Sequence, residues 1–160
     1  NYLIERLGSD QFLLFNELTK LVIYDPKITR KNIELLTEPT YQSKIFDLLD
    51  AAFSGDKEKA LKLYEDQRAQ KVEPPAIAAM LAWQLQLLTI VKYGDGRTAE
   101  QIAKDLNMSS YPISKASRLA AKLNQAKLKE LINEAFDIDL KSKTGSIDLD
   151  EALKTYIVTI

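Results

Sequence analysis

Apolar residues recur along this chain at three- and four-residue spacings, with polar residues between them. That period puts the apolar side chains on one face of an α-helix. The clearest stripe is Tyr41, Ile45, Leu48, Leu49, Ala52 and Phe53, at i, i+4, i+7, i+8, i+11 and i+12. No strand-like alternation lasts beyond a few residues, so the chain is expected to be all-α. Ahead of that stripe, Asp10 is placed to cap a helix carrying Leu14, Phe15, Leu18, Leu21 and Val22 on one face. Asp25-Pro26 stops it. Thr29 opens a short helix that turns Ile33 and Leu36 inward, and Glu38-Pro39-Thr40 breaks the chain again. This break is the expected domain boundary, between residues 1–39 and 40–160.

After the stripe, Gly55 ends one helix and Asp56 caps the next, which turns Ala60, Leu61 and Tyr64 inward. Pro74-Pro75 introduces the most hydrophobic segment. From Ala76 to Val91 its only polar residues are Gln84, Gln86 and Thr89. A helix apolar nearly all round is buried on most sides, and this one is expected to be the centre of a bundle. It is short of the roughly 20 apolar residues of a comfortable bilayer span. Thr98-x-x-Gln101 is a capping box for a helix with Ile102, Ala103 and Leu106 inward. Pro112 suits the first turn of a helix burying Ile113, Ala116, Ala120 and Leu123. A further helix buries Leu128, Leu131, Ile132 and Ala135. Lys143-Thr144-Gly145 forms a turn. Asp148-x-x-Glu151 then opens a last helix with Leu149, Leu153, Tyr156, Ile157 and Ile160 inward.

Composition narrows the chemistry. With 160 residues the chain makes one domain or two small ones. It has no Cys and no His, which removes disulfides, Cys/His zinc sites, thiol nucleophiles and the commonest general acid–base group. The absence of Cys suits a reducing cytoplasm. The net charge of −1 supplies no overall field toward nucleic acid or acidic membrane, so any such attraction is local. The chain opens at Asn1 inside a periodic segment (Leu3, Ile4, Leu7), and it is expected to be a fragment of a longer protein.

One local feature is basic. Arg97, Lys104, Lys115, Arg118, Lys122, Lys127 and Lys129 face only Glu100 and Asp105 within the same stretch. Thr98–Leu106, a short turn and Pro112–Leu123 have the lengths of a helix-turn-helix, with Ser114, Lys115, Ser117, Arg118 and Lys122 available to a duplex. The other account of the same residues is a helical hairpin in a bundle with a solvated basic face. Asp137, Asp139, Asp148 and Asp150 form an acidic cluster. Lys141 and Lys143 are interleaved and EF-hand spacing is absent, so capping and ion pairing are expected there rather than a metal. Lys57, Lys59, Lys62 and Arg68 alternate with Glu58, Glu65 and Asp66 as a solvated mixed face. Gly94-Asp95-Gly96 is no phosphate loop, having only two glycines and no following Lys-Ser/Thr. Trp83 is expected in the core. Tyr111, just before a helix, is of a type favoured at interfaces.

Four stretches taken in order carry a resemblance. Gly8-Ser9-Asp10 through Asn16-Glu17-Leu18-Thr19-Lys20-Leu21, with the short helix after Ile28-Thr29, is the first. Ile45-Phe46-Asp47-Leu48-Leu49-Asp50-Ala51 with Gly55-Asp56 and Ala60-Leu61 is the second. The third is Ala82-Trp83-Gln84-Leu85-Gln86-Leu87-Leu88 with Ile102-Ala103 and Tyr111-Pro112. Asp139, then Lys143-Thr144-Gly145 and Ala152-Leu153, is the fourth. Together they resemble the C-terminal part of the delta subunits of bacterial DNA polymerase III, a clamp-loader family.

The resemblance implies a small AAA+-type helical lid (residues 1–39, incomplete at its start) and a helical collar (residues 40–160). It implies a non-catalytic fragment with no ATPase site and no cofactor. Its collar would assemble the pentameric loader that places the sliding clamp on primed DNA. The implied partners are the delta-prime and ATPase gamma/tau subunits through the collar. The sliding clamp would be reached through an N-terminal domain outside this sequence, and primer-template DNA through the whole assembly. No membrane is implied. The implied location is the cytoplasm, at the nucleoid-associated replisome. Tyr111, Lys115 and Arg118 are the candidate subunit-interface residues, and Asp139, Lys143 and Gly145 take a structural role. A helix-turn-helix DNA-binding module, with Lys115, Arg118 and Lys122 toward DNA, is the alternative.

Overall fold

The computed structural model describes residues 2–160, and the side chains of all of these except positions 5, 41 and 42. Among the described residues it is all helix: α1 (Tyr2–Leu7), α2 (Gln11–Tyr24), α3 (Arg30–Leu36), α4 (Tyr41–Phe53), α5 (Lys57–Ala69), α6 (Pro74–Lys92), α7 (Ala99–Asp105), α8 (Ser110–Lys122), α9 (Gln125–Lys143) and α10 (Leu149–Thr159). The all-α expectation holds. The helix starts follow from side-chain caps. The carboxylates of Asp10, Asp56 and Asp148 accept from the amides of Leu13, Lys59 and Glu151 at 2.8, 3.1 and 3.0 Å. Both arms of the Thr98–Gln101 capping box are made, at 2.8 and 3.3 Å. Each satisfies an amide that the helix itself leaves without a partner.

The chain divides into two compact units, Asn1–Lys44 and Ile45–Ile160. In the first unit, α2 packs with α1 and α3 around a small core of Leu3, Leu7, Leu21 and Ile33. Arg6 closes this unit. Its Nε donates to the Thr37 hydroxyl oxygen at 2.8 Å, and its guanidinium also donates to the Thr37 carbonyl at 2.6 Å. Here the sequence expectation for α2 needs correcting. Leu21 is fully buried, but Phe15, Leu18 and Val22 are exposed, as are Phe12, Ile23 and Tyr24. The reason is geometric. Helices of 6 and 7 residues flank a helix of 14, and they can cover only one side of it.

The second unit is a bundle centred on α6, against which α8, α9 and α10 pack; α7 lies on α8, and α10 bridges α5 and α9. The α4 stripe is inward as expected at Ile45, Leu48, Leu49 and Ala52, with Phe53 partly buried; the Tyr41 side chain lies outside the described residues. Burying a Leu or Ile fully contributes about 1.5–3 kcal/mol relative to leaving it in water. Fully buried Leu48, Leu49, Ile77, Leu88 and Ile113 therefore tie α4, α6 and α8 into one core. By length and composition α6 is long and apolar enough to cross a membrane, yet in this fold it is the helix that the others pack on. One of its faces stays open, at Pro75, Ala76, Ala79, Ala82 and Gln86.

Two further expectations change. Leu106 is exposed rather than inward, because α7 ends at Asp105 and Asn107 turns the chain away at φ +50°. Leu61 is only partly buried, and Gln67 takes the fully covered position on α5 instead. The α6–α7 link depends on a close approach: a Cβ on Gly94 would sit 3.0 Å from the Ile90 carbonyl and 3.2 Å from Ile102 Cδ1.

Candidate subunit-interface surface

The three interface candidates all lie on α8, whose amphipathic pattern decides which way each one points. Ile113, Ala116, Leu119 and Ala120 face the core. Tyr111, Lys115, Arg118 and Lys122 then follow a polar flank along the helix. Tyr111 is half-buried beside the Ser109 cap, whose hydroxyl accepts from the Tyr111 amide at 3.3 Å. Lys115 is also half-buried, and of the three candidates Arg118 alone is exposed. Exposure at Tyr111 and Lys115 is therefore less than the sequence suggested.

Across from α8 stand two carboxylates of α4. Lys115 Nζ lies 3.3 Å from Asp47 Oδ1, and Lys122 Nζ donates to Asp50 Oδ1 at 2.7 Å and reaches Ser54 Oγ at 3.3 Å. The Lys115 ammonium also sits over two aromatic rings, 5.3 Å from the centroid of Phe46 and 5.7 Å from that of Tyr111. Phe46 meets Trp83 edge to face, with centroids 6.2 Å apart. The result is a seam of three cations against two carboxylates. Arg118, the middle cation, has no hydrogen bond or ion pair among the described residues. Phe46, Asp47, Asp50, Lys115, Arg118 and Leu119 line a cavity of about 100 Å³ in this seam. The sequence offered Lys115 and Arg118 but not Asp47, Asp50 or Phe46. The only local signal was a pair of carboxylates at i, i+3 on the polar side of α4. Nothing in the sequence says that α8 lies opposite.

The same geometry bears on the helix-turn-helix reading. Of the seven cations between Arg97 and Lys129, four hold carboxylates: Arg97 with Asp105, Lys115 with Asp47, Lys122 with Asp50 and Lys127 with Glu130. A phosphate backbone approaching α8 would compete for two of those pairs and meet Asp47 and Asp50 directly. The arrangement suits a bundle helix, not a polyanion groove.

The acidic cluster has separate duties. Asp137 pairs with Lys141 and Asp139 with Lys143, each at 2.6 Å, while Asp148 caps α10. Asp150 is the centre of a lock between α5 and α10. It accepts from the buried Tyr64 hydroxyl at 2.8 Å and pairs with Arg68 at 2.7 Å and Lys154 at 2.8 Å. The Lys154 hydrogen bond does most to hold the Asp150 carboxyl below its usual range, with Tyr64 assisting and burial opposing. Burial first, then the Asp150 hydrogen bond, pushes the Tyr64 hydroxyl well above its ordinary value. The sequence offered ion pairing for Asp150 and an inward side for Tyr64, but not the hydrogen bond that joins them.

Comparison with known proteins follows the bundle closely. Residues 42–160 match the sequence model of the family described as DNA polymerase III delta subunit, C-terminal domain. The DNA polymerase III subunit delta of Bacillus subtilis is 24% identical over 152 residues, which span 92% of this chain and 44% of that protein. The DNA translocase FtsK of Campylobacter jejuni is 31% identical over 145 residues, 88% of this chain but 14% of that protein. Among solved structures, the Bacillus subtilis DNA clamp loader delta protein (YqeN) superposes with a TM-score of 0.88 at 23% identity, over 99% of this chain and 48% of that one. At that identity the likeness speaks to the fold. The chain spans less than half the length of each of these relatives.

Proposed function

The chain belongs to the DNA polymerase III delta-subunit family, and on that premise we propose that it is the lid and collar part of a clamp-loader protein. Its collar joins the subunits of a replicative loader that places the sliding clamp on primed DNA. The observation that carries this reading is the extent of the family match, which takes in nearly all of α4 and every helix after it. That is the whole bundle rather than one motif.

The lid corresponds to residues 1–39 and the collar to residues 40–160. The compact division between Lys44 and Ile45, close to that boundary, supports a two-part reading. So does the exposed apolar face of α2, since a patch of that kind marks a docking face. In the whole protein it would lie toward the N-terminal half, and the lid would carry the motions of neighbouring ATPase subunits to the part that grips the clamp.

The part played by this chain is mechanical and non-catalytic. It has no His, no Cys and no Gly-x-x-x-x-Gly-Lys-Ser/Thr sequence, so nucleotide hydrolysis is assigned to the gamma/tau subunits. The same absence gives no support to a translocase role, and the likeness to FtsK touches only a small part of that protein. The partners are delta-prime and gamma/tau through the collar, the sliding clamp through the N-terminal half, and primer-template DNA through the assembly. The site of action is the cytoplasm, at the nucleoid-associated replisome. Tyr111, Lys115 and Arg118 belong to the interface between subunits.

Size-exclusion chromatography with light scattering tests this. Mixed with the delta-prime and gamma/tau subunits of its own bacterium, the chain co-elutes at the mass of a pentameric assembly. Elution of the chain alone, while the other subunits associate with one another, would falsify the collar reading. Tight binding of the isolated chain to duplex DNA, steeply weakened by salt, would favour the helix-turn-helix instead.

A further inference from the structure

Gly94-Asp95-Gly96 makes no phosphate loop, but it holds chemistry of another kind. Asp95-Gly96 is the one Asp-Gly step in the chain, and Asn-Gly does not occur. It forms the tight turn between α6 and α7. The Arg97 amide donates to the Gly94 carbonyl at 3.0 Å, with Asp95 at φ +49° and Gly96 at φ +76° between them. Two positive φ values in a row mark a type I′ turn, which Asp-Gly suits. Asp95 is nevertheless held in the left-handed region, where a Cβ crowds the backbone. Both residues are exposed. Among the described residues the Asp95 carboxylate has no hydrogen bond or ion pair, and the Gly96 amide has no acceptor. A free carboxyl and a free backbone amide thus adjoin, with no side chain on Gly96 to screen the nitrogen.

We propose that Asp95 is a site of spontaneous backbone modification, at which the folded chain converts to isoaspartate. The Gly96 nitrogen bonds to Asp95 Cγ, and a hydroxyl leaves Cγ with the amide proton as water. The product is a five-membered succinimide. Water then adds to the Asp95 backbone carbonyl, and the bond from that carbon to the Gly96 nitrogen breaks. The chain now runs through Cγ, and the former backbone carbonyl is a free carboxylate. The water lost is regained, so the mass is unchanged and no oxidant or cofactor takes part. The other aspartates lack this combination. Each is followed by a residue with a side chain. Those at helix starts or in ion pairs also have their carboxylates engaged, as Asp56 and Asp105 do.

The added backbone atom falls where the fold has no slack. Gly94 is buried, and a Cβ there would already meet the Ile90 carbonyl at 3.0 Å. Arg97 spans the turn, donating from Nε to the Gly94 carbonyl at 3.1 Å and from Nη1 to Asp105 at 2.8 Å. Thr98, the next residue, caps α7. A longer turn draws Arg97 off these partners and loosens α7, which packs on α8. The site is independent of the collar role.

The test ages the folded full chain at neutral pH and digests it with trypsin, which frees residues 93–97 by cutting after Lys92 and Arg97. That peptide should separate into two species of equal mass, of which only the new one accepts a methyl group from a protein isoaspartyl methyltransferase. Isoaspartate should accumulate there several-fold faster than in any other peptide. Asp95→Asn reaches the same succinimide by losing ammonia and should convert faster still. Asp95→Gly keeps the turn without a carboxyl and should take no label at residues 93–97. Ageing should lower the melting temperature of the wild type and leave that of Asp95→Gly unchanged. Conversion in the urea-unfolded chain but not in the folded one would overturn the proposal, as would label spread evenly over the other aspartates. Identical melting of fresh and converted wild type would overturn the effect on α7.

Discussion

Asp150 shows how much one side chain can hold. It accepts the Tyr64 hydroxyl and pairs with Arg68 and Lys154, joining α5 to α10. Asp150→Ala leaves the buried Tyr64 hydroxyl without its acceptor. Urea unfolding at pH 7 should then read a loss of about 1.5–3 kcal/mol. The pH dependence has a definite sign. A carboxyl depressed in the folded state contributes stability that is present above its unfolded pKa, about 4, and is lost as pH falls through the folded value. The gap between wild type and Asp150→Ala should therefore narrow below about pH 4. On the alkaline side Lys154 is raised, chiefly by its hydrogen bond to Asp150. Its share persists past neutrality and fades only as pH climbs beyond the ordinary lysine range, about 10.4. Gln84 is the opposite case. It is 1% exposed, and neither its Oε1 nor its Nε2 has a hydrogen-bond partner among the described residues. A buried amide without partners costs about 1–3 kcal/mol, so Gln84→Met, which keeps the volume, should raise the melting temperature. A lowered one would mean that the amide is satisfied by bound water.

Among the elements, the helices whose faces alternate cleanly were legible in the sequence, and α2 was not. Its apolar residues wrap more than half the helix: Leu21 is inward, while Phe12, Phe15, Val22 and Ile23 are outward. Periodicity reports that a residue is apolar, not whether enough neighbouring structure exists to cover it. Two substitutions separate the faces. Leu21→Ala empties a fully buried site and should cost about 2–5 kcal/mol. Phe15→Ser changes an exposed position and should leave stability within about 0.5 kcal/mol, while reducing binding of a hydrophobic dye. Equal losses from both would mean that the outer face is packed. Caps were the most readable feature, because a cap is local chemistry. Thr98→Ala breaks the capping box of α7 and should cost about 1 kcal/mol by thermal unfolding. The ion pairs from α8 to α4 were not readable, because each links positions 68 or 72 residues apart and depends on how the bundle closes.

For the whole molecule, the order of segments said more than any single motif. The match to the C-terminal domain of the delta family runs across the bundle, which has no internal repeat and no dominant site. Lys115, Arg118 and Lys122 looked alike as cations in the sequence. The structure divides them into two that are tied down within the bundle and one that is available. The assembly role proposed above fits this picture: a well-filled core, side chains locked in pairs, and a few groups left over at the surface. The most direct measurement is native mass spectrometry of loader subunits lacking delta, to which this chain is added and then challenged with full-length delta. A collar role predicts one copy of the chain in each pentameric loader, displaced stoichiometrically by full-length delta because both fill the same place in the ring. An assembly of the other subunits that excludes the chain, or one that binds it alongside full-length delta, would contradict that role.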